Sequence, residues 1–371
     1  MRKLRLTLVW MVTLGIAGQA GADANFVGMW IVKQEIRGQE RESILTIKKD
    51  SGTWAGPRGT SDLAEVKIDD DTLTFTRTVS QRGEDFSSGH TATVIDDTLH
   101  VTMTSPQGDS DFTATRIPEA VRRAIEARES AIAALKRCDV LAVFAHPDDE
   151  TFAAGTFAKL SANGERVQLI YTTSGDAGGD RTDQGLSGAA LAAERENEMR
   201  ASADVLEVSA QPLFLRYPDG FVYENWDKVV ENVQAIIEKT QPKVVITFGP
   251  DGYYGHADHL AIGQITERAF DASGASSHLL HVAISRSRND FIVKVGGGSR
   301  YKPVDDKFIT YTVDVRKHSQ QRVAAMEAHK TQFDDRTIGQ YRMLVGLKGF
   351  DEFVEVRHPG QSGLLAELFA E

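Results

Sequence analysis

The apolar residues of this chain follow two different periods, and the change from one to the other falls at Pro118. From about Phe26 to Ile117 they alternate with period two, as in residues 72–79, 91–95 and 98–104, which are rich in Thr, Val and Leu. Such alternation marks a strand with one buried face, because successive side chains point to opposite sides. Turn-forming clusters, Lys49-Asp50-Ser51-Gly52 and Gln107-Gly108-Asp109 among them, separate the runs. Segments 68–76 and 95–102 resemble each other as successive units of one meander. Residues 25–117 are therefore expected to form a small antiparallel β-barrel or sandwich. Binding and purely structural roles both stay open for it.

Pro118 opens a helical pattern that runs to about residue 137, with Val121, Ile125, Ile132 and Leu135 roughly on one face, and it reads as a helical linker. Beyond residue 138 the period changes. Strand-like apolar runs at 139–145, 167–173, 212–217 and 244–249 alternate with helical stretches near 151–163, 187–206, 225–239 and 257–270. Regular strand–helix alternation predicts an α/β unit over 138–371, a Rossmann-like, doubly wound, mostly parallel sheet covered on both faces. A chain of 371 residues accommodates both domains.

Composition narrows the chemistry. A formal charge of −11 disfavours nucleic acid and anionic membrane surfaces as partners. Cys138 is the only cysteine, which excludes an intramolecular disulfide and any multi-cysteine metal site, so imidazoles and carboxylates must hold a metal. No glycine-rich phosphate loop follows the first α/β strand, which argues against nucleotide chemistry. Residues 1–24 pass from a basic start (Arg2, Lys3, Arg5) through about a dozen apolar residues to small residues in an A-x-A pattern. Thr7, Thr13 and Gly15 interrupt a stretch already shorter than the roughly 20 residues of a membrane span. The expectation is a secretory signal peptide cleaved near Ala22 or Ala24, a periplasmic or extracellular protein, and no stable membrane insertion.

Two short segments stand at predicted strand ends: AHPDDE (145–150) and GHADH (255–259). In a Rossmann-like order the first and fourth strands are neighbours, and ligands bind beyond their carboxyl ends, so the two segments share one crevice. Adjacent Asp148 and Asp149 must point in different directions, so one can bind a metal while the other addresses water. His256 and His259, three apart at a helix start, can face the same side, one ligating and one beside the substrate. Two imidazoles, a carboxylate and an open position match catalytic zinc. Plainer readings exist: Asp148 or Asp149 as a cap for a helix beginning near Glu150, Arg195 and Glu198 as a helix-surface ion pair, Asp219 as a turn residue, and His278 and His281 as structural or exposed.

With these motifs the chain resembles the PIG-L (LmbE-like) family of zinc-dependent de-N-acetylases over about residues 138–345. The resemblance implies His146, Asp149 and His259 as metal ligands, with one zinc ion per chain and Fe²⁺ or another divalent ion as a substitute. It implies Asp148 as general base and a protonated His256 as acid and oxyanion stabiliser, oriented by Asp258, with Tyr254 closing over the site. Asp176, Arg195 and Asp219 follow as substrate-binding residues, and His329-Lys330-Thr331-Gln332 is similar to a late motif of the family. Ala257 stands where the family usually has proline, and the β-rich domain and residues 285–307 lie outside the match. The expected activity is hydrolysis of an N-acetyl group on an N-acetylglucosamine-type sugar, oligosaccharide or glycoconjugate. A non-haem iron oxygenase and a non-catalytic carbohydrate-binding module are the alternatives.

Overall fold

The alternating runs of the first hundred residues close on themselves. The computed structural model describes residues 25–369 apart from 37–38, 57–58, 82–83, 107, 296–300, 348, 359–364 and 366–367, so the expected signal peptide lies outside the described residues. Strands β1 (Gly28–Ile36), β2 (Gln39–Ile47), β3 (Gly52–Gly56), β4 (Gly59–Asp69), β5 (Thr72–Gln81), β6 (Glu84–Ile95), β7 (Thr98–Ser105) and β8 (Gly108–Arg116) pair in sequence as antiparallel neighbours. Register pairs from Trp30↔Arg116 to Val32↔Ala114 join β8 back to β1, so the eight strands form a closed barrel. The two similar segments are two hairpin turns, with Asp70 in one and Asp96 and Asp97 in the other at positive φ. Trp30, Trp54, Leu45, Leu73, Phe75 and Leu99 fill the interior. His90 stacks on Phe75 at 4.6 Å among them. Burial pushes its pKa down to about 4, so it is neutral there.

The chain divides between Glu126 and Ala127 into two compact units, and the break falls inside helix α1 (Glu119–Ala134). The second unit carries five parallel strands, β9 (Val140–Phe144), β10 (Val167–Thr173), β11 (Leu213–Tyr217), β12 (Val244–Phe248) and β13 (His278–Ala283). Their order is β11-β10-β9-β12-β13, extended by the antiparallel strands β15 (Phe350–Arg357) and β14 (Tyr311–Asp314). Every residue of β9, β10, β12 and β13 is buried, which is why these runs are mostly apolar and do not alternate. The crossovers are α2 (Ala154–Ala162), α3 (Gly188–Val205), α4 (Trp226–Thr240) and α5 (Ala257–Ser273).

Strands β9 and β12 pair directly, from Val244↔Val140 to Ile246↔Ala142, and the winding reverses between them. The two motif segments therefore emerge side by side. Helix α5 lies close to β12 at this point: a Cβ on Gly263 would sit 2.5 Å from the Phe248 carbonyl oxygen. The stretch 285–307 supplies α6 (Arg286–Lys294) and a return in which the Lys302 amide donates to the Tyr253 carbonyl at 2.9 Å. Helices α7 (Ser319–Ala328) and α8 (Asp335–Leu347) complete the unit. His278 and His281 are both buried in β13 beside Glu355 and Glu267, so their work is structural.

Candidate functional site

Beyond β9 the backbone turns sharply through His146, Pro147 and Asp148 into a 3₁₀ turn at Asp149–Phe152. The Asp149 carboxylate reaches back and accepts the amide hydrogens of Ala145 (3.1 Å) and His146 (2.8 Å), which fixes its direction. Its other oxygen lies 3.1 Å from His259 Nε2. His146 Nδ1 stands 3.2 Å from the same Nε2 and 3.7 Å from Asp149 Oδ2. Tetrahedral coordination at about 2.0–2.2 Å places ligand atoms roughly 3.3–3.6 Å apart. The contacts of His259 Nε2 with Asp149 Oδ1 and His146 Nδ1 are close to that spacing, whereas His146 is measured to the other Asp149 oxygen, so the two imidazoles and the carboxylate have the donor chemistry of a zinc site.

Each imidazole is oriented from behind. His146 Nε2 faces Asp219 Oδ1 at 3.0 Å and Asp258 Oδ2 at 3.3 Å, leaving Nδ1 toward the triangle. His259 Nδ1 meets the Gly252 carbonyl at 3.2 Å, and its ring lies parallel to Phe248 with centroids 3.9 Å apart. A carboxylate or carbonyl on the far ring nitrogen sets the tautomer and raises ligand basicity. Burial alone would lower the pKa of His146; hydrogen bonds to Asp149, Asp219 and Asp258 override it and hold it well above its ordinary value. Burial likewise works against ionisation of Asp149, but His259 and His146 keep its carboxyl far below the usual range. Asp219 falls to about 2 for the same reason, with His146 outweighing its burial. The pocket thus sets several carboxylates around two imidazoles, a donor set suited to a divalent cation. His146, His256 and His259 also form a group of ligand-type atoms within 4.8 Å of one another, as do His146, Asp219 and Asp258.

Asp148 faces the opposite electrostatic balance. It sits at φ 125°, a strained conformation for a residue with a side chain, and makes no capping hydrogen bond to the turn that follows, which removes the cap reading. Burial pushes its carboxyl up to about 6, against the pull of Arg195. Asp148 and Asp149 line a cleft of about 380 Å³ together with Phe152, Arg181, Tyr254 and Gln332. Tyr254 is half-buried, its ring edge-on to His259 at 4.9 Å and 6.3 Å from His256.

These contacts change several of the expected roles. Asp258 does not orient His256: its carboxylate turns to His146 and accepts the amides of Gly220 (2.7 Å) and Val222 (3.3 Å). What reaches His256 is the Asp258 backbone N–H, donating to Nδ1 at 3.2 Å in a helix N-cap, which places the proton of a neutral ring on Nε2. Burial and the neighbouring imidazoles of His146 and His259 lower the pKa of His256, so the neutral ring is favoured over the expected imidazolium. Arg195, expected as a substrate-binding residue, is engaged within the protein. Its guanidinium is buried and donates to Asp148 Oδ1 (3.2 Å), the Pro147 carbonyl (2.8 Å) and the Gly175 carbonyl (3.3 Å). Gly175, at φ 70°, must be glycine here, since a Cβ would lie 2.1 Å from that guanidinium. Nor is Arg195 a surface partner of Glu198, whose buried carboxylate accepts from the Thr331 amide and hydroxyl. Asp219 is committed to His146 and the Ala177 amide, while half-buried Asp176 accepts the Asp219 amide at 3.1 Å.

Glu150 and His329 were not given a shared role by the sequence. Both are fully buried and meet at 2.6 Å, with Ser202 and Tyr171 also donating to Glu150. The acid that closes AHPDDE and the histidine of the late motif were the only cues; the pair lies 179 residues apart and only the fold joins them.

A family model described as PIG-L, GlcNAc-PI de-N-acetylase, matches residues 141–270. A 1D-myo-inositol 2-acetamido-2-deoxy-alpha-D-glucopyranoside deacetylase of Mycobacteroides abscessus is 31% identical over 271 residues, covering 62% of this chain and 97% of that protein. Its namesake from Actinosynnema mirum is 30% identical over 233 residues, covering 52% of this chain and 80% of the relative. Among solved structures, the N,N'-diacetylchitobiose deacetylase of Pyrococcus horikoshii aligns with a TM-score of 0.45 at 22% identity, covering 65% of this chain and 94% of that one.

The buried Glu150–His329 pair yields a test of the scaffold beneath the site. Glu150→Ala strands a buried imidazole whose pKa the pair raises, and should cost about 3–5 kcal/mol. A lower urea midpoint in equilibrium unfolding is the expected result; an unchanged midpoint would show that the pair bears no load.

Proposed function

The chain belongs to the PIG-L family, and from that premise we propose that it is a metal-dependent hydrolase removing the N-acetyl group from an N-acetylglucosamine-type sugar or glycoconjugate. The observation that carries this reading is the braced triangle of His146, Asp149 and His259, with the raised carboxyl of Asp148 beside it. Zinc suits that donor set best; when bound, it would supply Lewis acidity toward the acetamide carbonyl and lower the pKa of water. The order of basic, apolar and small residues at 1–24 supports an exported enzyme. No helix among the described residues is long and apolar enough to cross a membrane.

The residues of the chain then divide the work. Asp148 takes a proton from the attacking water as the new C–O bond forms at the acetyl carbon. The neutral ring of His256 offers a hydrogen bond from its Nε2–H to the oxyanion that develops on the carbonyl oxygen and keeps its proton throughout. As the C–N bond breaks, Asp148 returns the proton to the departing amine, so acetate and a free amino sugar result. One carboxyl thus serves as base and then acid, and its raised pKa suits both steps. Arg195 acts as a positioning residue that holds Asp148 on the Pro147 turn.

Asp148→Asn should lower kcat/KM for acetate release by about 10²–10⁴-fold while metal content stays that of the wild type. Turnover near the wild-type level would remove Asp148 from the base role. Arg195→Gln deletes the cation that favours the Asp148 carboxylate, so the acid limb of the kcat/KM profile should move to higher pH. A limb that stays put or moves to lower pH would contradict the pairing.

A further inference from the structure

Helices α6, α7 and α8 line a second cavity of the α/β unit, about 80 Å³ in volume. Thr151, Phe152 and Phe333 line both this cavity and the catalytic cleft, so the two adjoin. Of its wall only Thr151, Phe152 and Tyr253 fall within the residues that the family model matches; the rest lies beyond residue 270. Part of the wall is apolar, with Ile284, Ile292 and Met326, and part presents hydrogen-bond donors, Arg288, Arg322 and Tyr253 among them. Two of these donors lack an acceptor. Tyr253 is 6% exposed, and among the described residues its hydroxyl has no hydrogen-bond partner. Burial raises the pKa of that phenol and the nearby charges of Arg288 and Arg322 pull against the rise. The Arg288 side chain is 12% exposed and lies over the Phe350 ring at 5.0 Å. Its one ion pair among the described residues, to Glu352 Oε2, is 3.6 Å long and beyond hydrogen-bond reach. Glu352 is turned instead to Ser285, accepting from its amide (2.9 Å) and hydroxyl (2.7 Å). Arg322, by contrast, pairs with Asp351 at 2.7 Å and donates to the Tyr341 hydroxyl at 2.8 Å. No aspartate or glutamate lines the cavity.

Buried donors without an acceptor cost the fold free energy, so this pair points to a ligand that accepts. A guanidinium with a phenol beside it suits an anion, since hydrogen bonds to a charged acceptor are the strong ones. Size narrows the choice. A cavity of about 150 Å³ takes benzene, with six heavy atoms, so one of about 80 Å³ takes roughly four. A sugar ring is too large for that space. Water satisfies the donors but leaves the wall of Ile284, Ile292 and Met326 unmatched, whereas acetate joins a carboxylate to a methyl group within four heavy atoms. We propose that this cavity is a second binding site, for a small monocarboxylate, and that its occupant is the acetate released in the adjoining cleft. The identity of the occupant rests on the deacetylase reading; the site itself rests on the unpartnered donors and the size of the cavity.

The test uses the full chain and two probes, sodium acetate and acetamide, the second being uncharged and of the same size. Calorimetric titration should find acetate bound by the wild type and, with similar Kd, by His259→Ala, because the cavity stands apart from the ligand triangle. Arg288→Met should raise the Kd for acetate at least tenfold. Tyr253→Phe, a milder change that keeps the ring and removes the free hydroxyl, should raise it at least threefold, and acetamide should bind the wild type at least tenfold more weakly than acetate. Unchanged acetate affinity in Arg288→Met or in Tyr253→Phe would overturn the site. So would loss of binding in His259→Ala, which would place acetate in the catalytic cleft alone, or acetamide binding as tightly as acetate. Arg288-dependent acetate binding by a chain that releases no acetate from N-acetylated sugars would sink the deacetylase reading and leave the carboxylate site standing. Acetate release without any binding outside the cleft would do the reverse.

Discussion

The contact between His259 Nε2 and Asp149 Oδ1, 3.1 Å long, is the interaction on which the rest of the site depends. It exists because β9 and β12 are neighbours in a parallel sheet, so a turn after one strand and a helix start after the other open into the same crevice. The close approach of α5 to β12 at Gly263 holds His259 at that height. From this contact outward the site side chains are held in turn: His146 by Asp219 and Asp258, Asp258 by two backbone amides, and Asp148 by Arg195. The result is a carboxylate-rich cavity whose two imidazoles and Asp148 each have a bracing partner.

Burying this many charges is costly, and the fold offsets the cost by pairing. Glu150 with His329, Arg322 with Asp351, and Arg195 with Asp148 all lie beneath or beside the cleft, largely removed from water. Asp148 is the exception that serves chemistry. Its neighbour Asp149 is stabilised as a carboxylate by two imidazoles, whereas Asp148 has one guanidinium against its burial and rises to about 6. Two adjacent aspartates are thereby pushed apart, one suited to ligate and one to exchange protons.

Much of this was legible in the amino-acid order. The period-two runs marked the strands of the barrel, and the strand–helix alternation after Cys138 marked the sheet, because both signals come from burial repeated along an element. The adjacency of the AHPDDE and GHADH segments followed from topology alone. What escaped were directions and long-range pairs. Asp258 points to His146 and not to His256 because Gly220 and Val222 supply amides on that side, and nothing local to GHADH encodes those donors. Arg195 looks like an exposed helix residue until the turn after β10 brings Gly175 against it. Closure of the barrel likewise depends on β1 meeting β8, a pairing between residues at opposite ends of the domain.

Metal content measures the central claim most directly. Elemental analysis of the dialysed full chain should find one divalent ion, and His259→Ala, which removes one corner of the triangle while leaving the fold's circular dichroism intact, should lose it. An ion retained undiminished in His259→Ala, or a wild-type chain that binds no divalent metal when titrated with zinc, would contradict the account.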